Sequence, residues 1–177
     1  MNNISVKQNS GEMTIKNLIL IITATSTALI AGLFYAYSCS VNIGLGKLSD
    51  EGYIAAMQSI NREIQNPLFF ASFMGTLLLL PVSTWLQYKA GESNTFLFLL
   101  AATLIYAIGT FGVTMFGNVP LNGVLDKFNL HSASVEEIVK QRAMFELPWN
   151  RLHNIRTIAS VVSLVLVIIS FLNKSRT

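Results

Sequence analysis

The chain has 177 residues, of which 52% are hydrophobic and 12% are charged, with a formal net charge of +3. Soluble domains carry about 25% charged residues, so this composition excludes an ordinary soluble domain and indicates an integral membrane protein. The basic residues are scattered and accompanied by acidic ones, which argues against a nucleic-acid partner. The single cysteine, Cys39, excludes an intrachain disulfide.

Four apolar stretches are long enough to cross a membrane, at about 15–37, 68–88, 96–116 and 155–172. Each approaches the roughly 20 residues that a helix needs to span about 30 Å of hydrocarbon, and none contains an acidic residue. They predict an all-α fold, a membrane four-helix bundle, with both termini on the same side. We expect a disordered polar tail over residues 1–14 and a single domain over residues 15–173.

The first long connection predicts a short loop helix over residues 50–66. Ile54, Met57 and Ile60 recur there at helical spacing. Asn66 and Pro67 then end this helix and begin the second span, since proline is tolerated in the first turn of a helix.

The second long connection predicts another loop helix on the same side of the membrane. Because Pro120 disfavours a helical conformation at the residue before it, we expect the third span to end near Gly117. Ser134 and Glu137 form a capping-box pair that begins the new helix. Pro148 predicts a break or the first turn of a new helix, so that the fourth span begins around Trp149. The predicted fold is therefore a four-helix bundle with two additional short loop helices on one side.

Polar and aromatic side chains gather at one mouth of this bundle. The end of span one, the start of span two, the end of span three and the start of span four all lie on the same side. On a helix, Trp149, His153 and Arg156 share one face because they are spaced i, i+4, i+7. The pattern predicts a polar pocket whose residues include Tyr35, Tyr37, Ser38, Ser40, Asn42, Gln58, Asn61, Gln65, Asn66, Asn118, Asn122, Trp149, Asn150, His153 and Arg156.

Each of these residues also has a structural interpretation. Trp149 suits an interfacial aromatic belt, Arg156 can extend to lipid headgroups, and His153 can be a buried structural histidine. Two histidines and one cysteine offer no metal-ligand spacing and no bis-histidine haem site. We expect no metal and no other cofactor.

Several sequence blocks are similar to one membrane family. The chain resembles the small four-span membrane family that includes anthrone oxygenases, and the blocks extend in the same order over most of the chain. They are residues 32–38 (GLFYAYS), 56–61 (AMQSIN), 66–69 (NPLF), 117–122 (GNVPLN), and Trp149, Asn150, His153, Arg156 and Thr157. The resemblance implies oxidation of an anthrone to an anthraquinone by O₂ without an added cofactor, an activity that belongs to a few members.

The resemblance suggests roles for the residues of the pocket. His153 is the expected general base, and Arg156, with Asn118 or Asn122, is expected to stabilise an oxyanion. Aromatic side chains, among them Tyr37 and Phe69, would flank a planar hydrophobic substrate that enters from the bilayer. The predicted catalytic residues are His153 and Arg156, and the predicted substrate-binding residues are Tyr35, Asn61, Asn66, Asn118, Asn122, Trp149 and Asn150.

A non-enzymatic role is the alternative, in which the same polar cluster binds a quinone or lipid or forms a buried network in a membrane assembly. A solute transporter is less favoured, because the chain has no internal repeat. The expected partners are the lipid bilayer, a hydrophobic aromatic or quinone-like ligand, and other subunits of an oligomer. The tails and the 89–94 turn carry net positive charge, so we expect a bacterial inner (plasma) membrane with both termini cytoplasmic.

Overall fold

The computed structural model of the protein describes residues 15–174, and the predicted polar tail lies outside the described residues. Within them the chain is helical, in agreement with the predicted all-α bundle. Three π-helical segments, Tyr37–Val41, Tyr106–Gly112 and Thr114–Asn118, interrupt the α-helices. The α-helices are α1 (Ile15–Ala36), α2 (Asn42–Leu45), α3 (Asp50–Glu63), α4 (Pro67–Lys89), α5 (Ser93–Ile105), α6 (Val119–Asp126) and α7 (Val135–Lys174).

Four continuous helical stretches are long and apolar enough to cross a membrane, which confirms the four predicted spans. They are Ile15–Leu45, Pro67–Lys89, Ser93–Asp126 and Val135–Asn173. Three of them extend beyond the predicted bounds on one side of the membrane, and α3 lies on that same side. The predicted helix in the first long connection is confirmed by α3, whose N-cap Ser49 accepts a hydrogen bond from the Gly52 backbone N–H at 3.2 Å.

The prediction that the third span ends near Gly117 is wrong. The π-helical segment Thr114–Asn118 leads directly into α6, so the helix continues to Asp126. Pro120 is the second residue of α6, directly after this π-helical segment, and it cannot supply the N–H that would continue the hydrogen bonds to the preceding turn. The proline therefore marks a change of helix type and does not terminate the span.

The predicted break at Pro148 is also wrong, because α7 runs without interruption through this residue. The second loop helix is thus an extension of the fourth membrane helix. Its capping box is confirmed, with the Ser134 N–H donating to Glu137 Oε2 at 2.8 Å. A proline inside a helix costs about 3 kcal/mol. Packing around it opposes this cost, since Phe145 and Trp149 stack on each other and are buried against α3.

Two apolar clusters fill the molecule. The first lies between the membrane helices, where Phe73, Leu99 and Tyr106 are almost fully buried. The second lies at the mouth, where Tyr53 and Met57 of α3 pack against the α7 extension. Burial of the Tyr53 phenol and the nearby Glu146 carboxylate raise the pKa of Tyr53, so its hydroxyl stays protonated.

Arg142 fastens the α7 extension to the loop before α3. Its guanidinium donates to Asp50 Oδ1 at 2.9 Å, to Glu146 Oε2 at 2.7 Å, and to the backbone oxygens of Leu48 and Gly46. The same group lies 4.5 Å from the centroid of the Tyr53 ring. This cluster, which we call the Arg142 clamp, holds α3 and α7 together beside the mouth of the bundle.

Candidate functional site

A cavity of about 310 Å³ opens at the mouth of the bundle, where α3 and the ends of all four membrane helices meet. Its volume falls within the range of about 300–1,000 Å³ that small-molecule sites occupy. The side chains that line it come from five segments of the chain. They are Leu33, Phe34, Tyr37, Ile60, Asn61, Arg62, Ile64, Gln65, Phe69, Phe70, Phe73, Thr114, Val119, Asn122, Gly123, Asp126, Trp149 and Arg156.

Aromatic rings form much of the cavity wall. The rings of Phe69 and Phe73 stack with centroids 5.1 Å apart and an interplanar angle of 15°. They lie one helical turn apart on α4, because side chains at i and i+4 share a face. Phe34, Phe70 and Trp149 also line the cavity. Walls of this kind suit a flat apolar ligand.

Arg156 is the charged group within this aromatic wall. It is only 8% exposed, and its guanidinium carbon lies 4.5 Å from the Phe34 ring centroid and 5.0 Å from that of Trp149. No ion pair within residues 15–174 includes Arg156. Because α7 buries this group inside the bundle, it does not extend to lipid headgroups, which was one structural interpretation of the residue.

His153 lies behind Arg156 and does not line the cavity. It is fully buried, and its ring stacks on Trp149 with centroids 5.2 Å apart and an interplanar angle of 10°. Its Nδ1 accepts hydrogen bonds from Arg156 Nε at 3.1 Å and from Nη2 at 3.0 Å. Its Nε2 lies 2.8 Å from Ser38 Oγ. Both ring nitrogens are therefore engaged with protein groups.

Two asparagines of the third membrane helix hold Trp149 in place. Asn122 Oδ1 accepts a hydrogen bond from Trp149 Nε1 at 2.7 Å, and Asn118 Nδ2 donates to the Trp149 backbone oxygen at 3.2 Å. Trp149 is 3% exposed, so it forms part of the cavity wall and not of an interfacial belt. Asn118 is buried beside this wall without lining the cavity.

Asn61 brings a second hydrogen-bond donor to the cavity. The residue is 7% exposed and lines the cavity from α3. Its side-chain Nδ2 is buried and has no hydrogen-bond partner within the described part of the chain. Since an unpartnered buried donor is costly, this amide is suited to an acceptor oxygen on a ligand.

Besides Asn118, three further predicted binding residues lie away from the cavity lining. Tyr35 is 61% exposed on the outer surface of its helix. Asn66 caps α4, accepting a hydrogen bond from the Phe69 N–H and donating one to the Glu63 backbone oxygen. Asn150 is half-buried on α7, with a buried Oδ1 that has no partner within residues 15–174.

Comparison with known proteins identifies the family. A family model described as Anthrone oxygenase matches residues 68–166, which is more than half of the chain. The chain belongs to the anthrone oxygenase family. No curated protein and no solved structure matches it.

The segment shared with the anthrone oxygenase family does not contain the whole cavity. It includes α4, the third membrane helix and the α7 residues Trp149, His153 and Arg156. The walls contributed by Phe34 of α1 and Asn61 of α3 lie outside the matched residues. The anthrone oxygenase segment therefore supplies the cation, and the preceding helices close the cavity around it.

Sequence reasoning did not select some residues that the structure brings to the site. Phe34 contacts Arg156 and was not selected, and Ser38, which contacts His153, was placed in the predicted polar pocket without a catalytic or binding role. Their spacing of one helical turn on the end of span one was the available signal. Arg62 and Asp126 were likewise not selected, and they form an ion pair of 2.6 Å at the edge of the cavity.

Proposed function

We propose that this protein is a cofactor-independent oxygenase that converts an anthrone-like aromatic to the corresponding anthraquinone with O₂. The observation that carries the proposal is a buried arginine in the aromatic wall of a cavity, with no carboxylate partner among residues 15–174. Membership of the anthrone oxygenase family supplies the reaction class. The overall reaction is balanced, because one anthrone and one O₂ give one anthraquinone and one water.

Arg156 would stabilise the charge that develops on the substrate oxygen. An anthrone loses a proton from its methylene carbon, and the resulting enolate carries negative charge on the oxygen of the central ring. A preorganised cation in a water-poor site stabilises such an oxyanion far more than the same cation would in water. The aromatic residues beside Arg156 keep the dielectric low, and the unpartnered Nδ2 of Asn61 offers a donor to a second substrate oxygen.

In each step of the proposed oxidation, the proton, electron or leaving group has a stated acceptor. The methylene proton would pass to Asp126, the one carboxylate among the residues that line the cavity. The enolate then transfers one electron to O₂, and the two radicals combine to form a C–O bond at the methylene carbon. Asp126 would return its proton to the peroxide anion, which gives a hydroperoxide. Asp126 would then remove the second methylene hydrogen as a proton while the O–O bond breaks, and the leaving hydroxide would take up that proton, so that water and the new carbonyl group form.

The substrate would enter from the bilayer. Leu33 of α1 and Phe70 of α4 line the cavity and are 39% and 45% exposed on the outer surface of the bundle. Apolar exposure on membrane helices faces lipid, so the cavity wall is continuous with a lipid-facing surface at these two residues. A three-ring hydrophobic compound dissolves in the bilayer and would reach Arg156 by this route.

The direct test is O₂ consumption by the purified protein in detergent or nanodiscs with an anthrone, compared with the spontaneous rate. We expect faster oxidation, with one atom from ¹⁸O₂ in the anthraquinone and the other in water. Arg156→Leu should fall towards the spontaneous rate. Arg151→Leu, on the same helix but exposed and outside the cavity, is the matched control. A wild-type rate equal to the spontaneous rate would exclude the oxygenase assignment.

Binding of a quinone or lipid without turnover is the second candidate. It is favoured by the donors at the cavity, because Arg156 and the unpartnered Asn61 Nδ2 would hold a quinone oxygen without any proton transfer. The same measurement separates the two functions. A hydroxyanthraquinone that binds to the wild type and more weakly to Arg156→Leu, with no acceleration of anthrone oxidation, would support the binding role.

The proposed location is a bacterial inner (plasma) membrane with both termini in the cytoplasm, which would place the mouth of the cavity on the opposite side. The combined net positive charge of the tails, Lys16 and the 89–94 turn supports this orientation. Cysteine-accessibility labelling of an added cysteine at Ser132 in intact cells should give modification from outside. Labelling only after lysis would reverse the assignment.

A further inference from the structure

A hydrogen-bonded chain connects the backbone of the first membrane helix with the cavity arginine. Ser38 Oγ donates to the Phe34 backbone oxygen at 3.0 Å and lies 2.8 Å from His153 Nε2. His153 Nδ1 in turn accepts from both Nε and Nη2 of Arg156. Ser38 and His153 are 115 positions apart in the sequence, so this series of hydrogen bonds forms only in the folded protein.

The donors and acceptors determine the protonation of the imidazole. A guanidinium can only donate, so Nδ1 must hold a free lone pair. A neutral imidazole then carries its proton on Nε2, and this N–H donates to Ser38 Oγ. The Ser38 hydroxyl proton is already directed to the Phe34 oxygen, which leaves Ser38 Oγ as an acceptor. Each hydrogen bond between Phe34, Ser38, His153 and Arg156 therefore has an assigned donor and acceptor.

These hydrogen bonds hold one edge of the Arg156 guanidinium and leave Nη1, at the other edge, available to a ligand. Two of its three nitrogens donate to His153, and the guanidinium carbon lies 4.5 Å from the Phe34 ring centroid and 5.0 Å from that of Trp149. The third nitrogen, Nη1, makes no hydrogen bond to residues 15–174, and Arg156 lines the cavity. A long flexible side chain is thereby held in one geometry before a ligand arrives.

We propose that His153 and Ser38 are positioning residues that orient Arg156 towards the substrate oxygen, and that His153 is not the proton acceptor. The inference rests on the proposed function for its consequences in turnover, whereas its structural content can be measured without substrate. Of Ser38, His153 and Arg156, only Arg156 would contact the substrate.

Variants at His153 distinguish a positioning role from a base. In His153→Asn, the side-chain oxygen can replace Nδ1 as the acceptor for Arg156, but it cannot take up a proton. In His153→Leu, the volume is similar and the acceptor is absent. We expect His153→Asn to keep kcat for anthrone oxidation within about tenfold of wild type. We expect His153→Leu to lose about 10²-fold, the size of the loss of one preorganised donor.

Ser38→Ala tests the next member of the chain. It removes the acceptor of the His153 Nε2–H, and the remaining neighbour, Thr157 Oγ1, lies farther away at 3.4 Å. We expect a loss smaller than that of His153→Leu. Ser40→Ala, in the same π-helical segment but exposed, is the control.

An equal loss of kcat in His153→Asn and His153→Leu would show that His153 is the base. Wild-type kcat in both His153 variants would show that His153 has no role in turnover.

Nuclear magnetic resonance of ¹⁵N-histidine-labelled protein at neutral pH tests the inference without turnover. His131→Asn assigns the signals, since His131 is the only other histidine. We expect His153 to be protonated at Nε2 and unprotonated at Nδ1. The Nδ1 signal should shift in Arg156→Leu and stay unchanged in Arg151→Leu. A proton on Nδ1, or an Nδ1 signal indifferent to Arg156→Leu, would overturn the proposal even if the protein oxidises anthrones. If the spectra are as expected but anthrone oxidation is not accelerated, only the oxygenase assignment is contradicted.

Discussion

Arg142 and Arg156 lie on the same helix about four turns apart, yet their surroundings differ in kind. Arg142 donates to two carboxylates and two backbone oxygens, and its side chain is 14% exposed. Among the described residues, the Arg156 side chain donates only to the neutral His153, and its guanidinium lies against the Phe34 and Trp149 rings. Both are held firmly, but only Arg142 has its charge compensated.

The difference separates a residue that stabilises the fold from one that is available to a ligand. Removing a cation from water costs several kcal/mol, and a carboxylate partner with good geometry offsets part of that cost. The Arg142 clamp has such partners at the junction of α3 and α7. Arg156 has no carboxylate partner among the described residues to offset its desolvation cost. This is the situation expected where a substrate supplies the negative charge.

The largest effect is expected from Arg156→Leu in the assay described above, with about a 10³-fold loss of kcat/KM for an anthrone. The free energy of unfolding in detergent should stay unchanged or increase, because the substitution removes an uncompensated buried charge. A stability loss as large as that of an Arg142 variant would contradict the comparison and make Arg156 a structural residue.

Arg142→Leu should show the opposite pattern. We expect about 3 kcal/mol lower free energy of unfolding, because four hydrogen bonds and the contact with the Tyr53 ring are lost. Turnover per folded molecule should stay near that of wild type. Denaturant unfolding followed by tryptophan fluorescence measures the first quantity, with Arg151→Leu as the control. A selective loss of turnover would instead tie the clamp to the site.

Arg156→Lys tests whether charge alone is sufficient at the cavity. Lysine keeps the positive charge but not the planar set of donors that engages His153 on one side and the cavity on the other. We expect about a tenfold loss of kcat/KM, corresponding to about 1.4 kcal/mol. A lysine variant as fast as wild type would mean that the orientation imposed by His153 is dispensable.

Trp149→Phe should have the smallest effect. The substitution keeps an aromatic ring against His153 and removes the Nε1–H that donates to Asn122 Oδ1. We expect about 1 kcal/mol lower stability and a loss of turnover of only a few-fold. Trp85→Phe is the control, since Trp85 is 57% exposed. A drop as large as that of Arg156→Leu would mean that Trp149 contacts the reacting atoms.

Much of the architecture could be predicted from local patterns. The length and apolarity of the spans, the capping box at Ser134 and the N-cap at Asn66 depend on neighbouring residues, and the structure confirms them. The two proline predictions were wrong for different reasons: at Pro120 the helix continues through a change of helix type, whereas at Pro148 the outcome depended on distant groups. Pro148 remains inside α7 where Phe145 and Trp149 pack against α3, and no local rule contains that contact.

The gathering of polar side chains at one mouth also followed from topology, but the lining of the cavity did not. Asn61, Asn122, Trp149 and Arg156 line it, whereas Tyr35 is on the outer surface and Asn66 is used as a helix cap. The difference comes from the rotation of each helix about its axis. Small errors in a predicted boundary change which face is inward, since each residue turns the face by about 100°.

The sequence by itself determined that this is a helical membrane protein with four spans, an arginine at the start of the fourth, and the blocks that resemble anthrone oxygenases. Hydropathy and spacing determine these features because the bilayer imposes them locally. Only the tertiary structure decided that Arg156 is buried with no carboxylate partner among the described residues, and that both ring nitrogens of His153 are engaged. Those facts depend on Ser38 and Phe34, which are far away in the chain, so packing alone could bring the partners together.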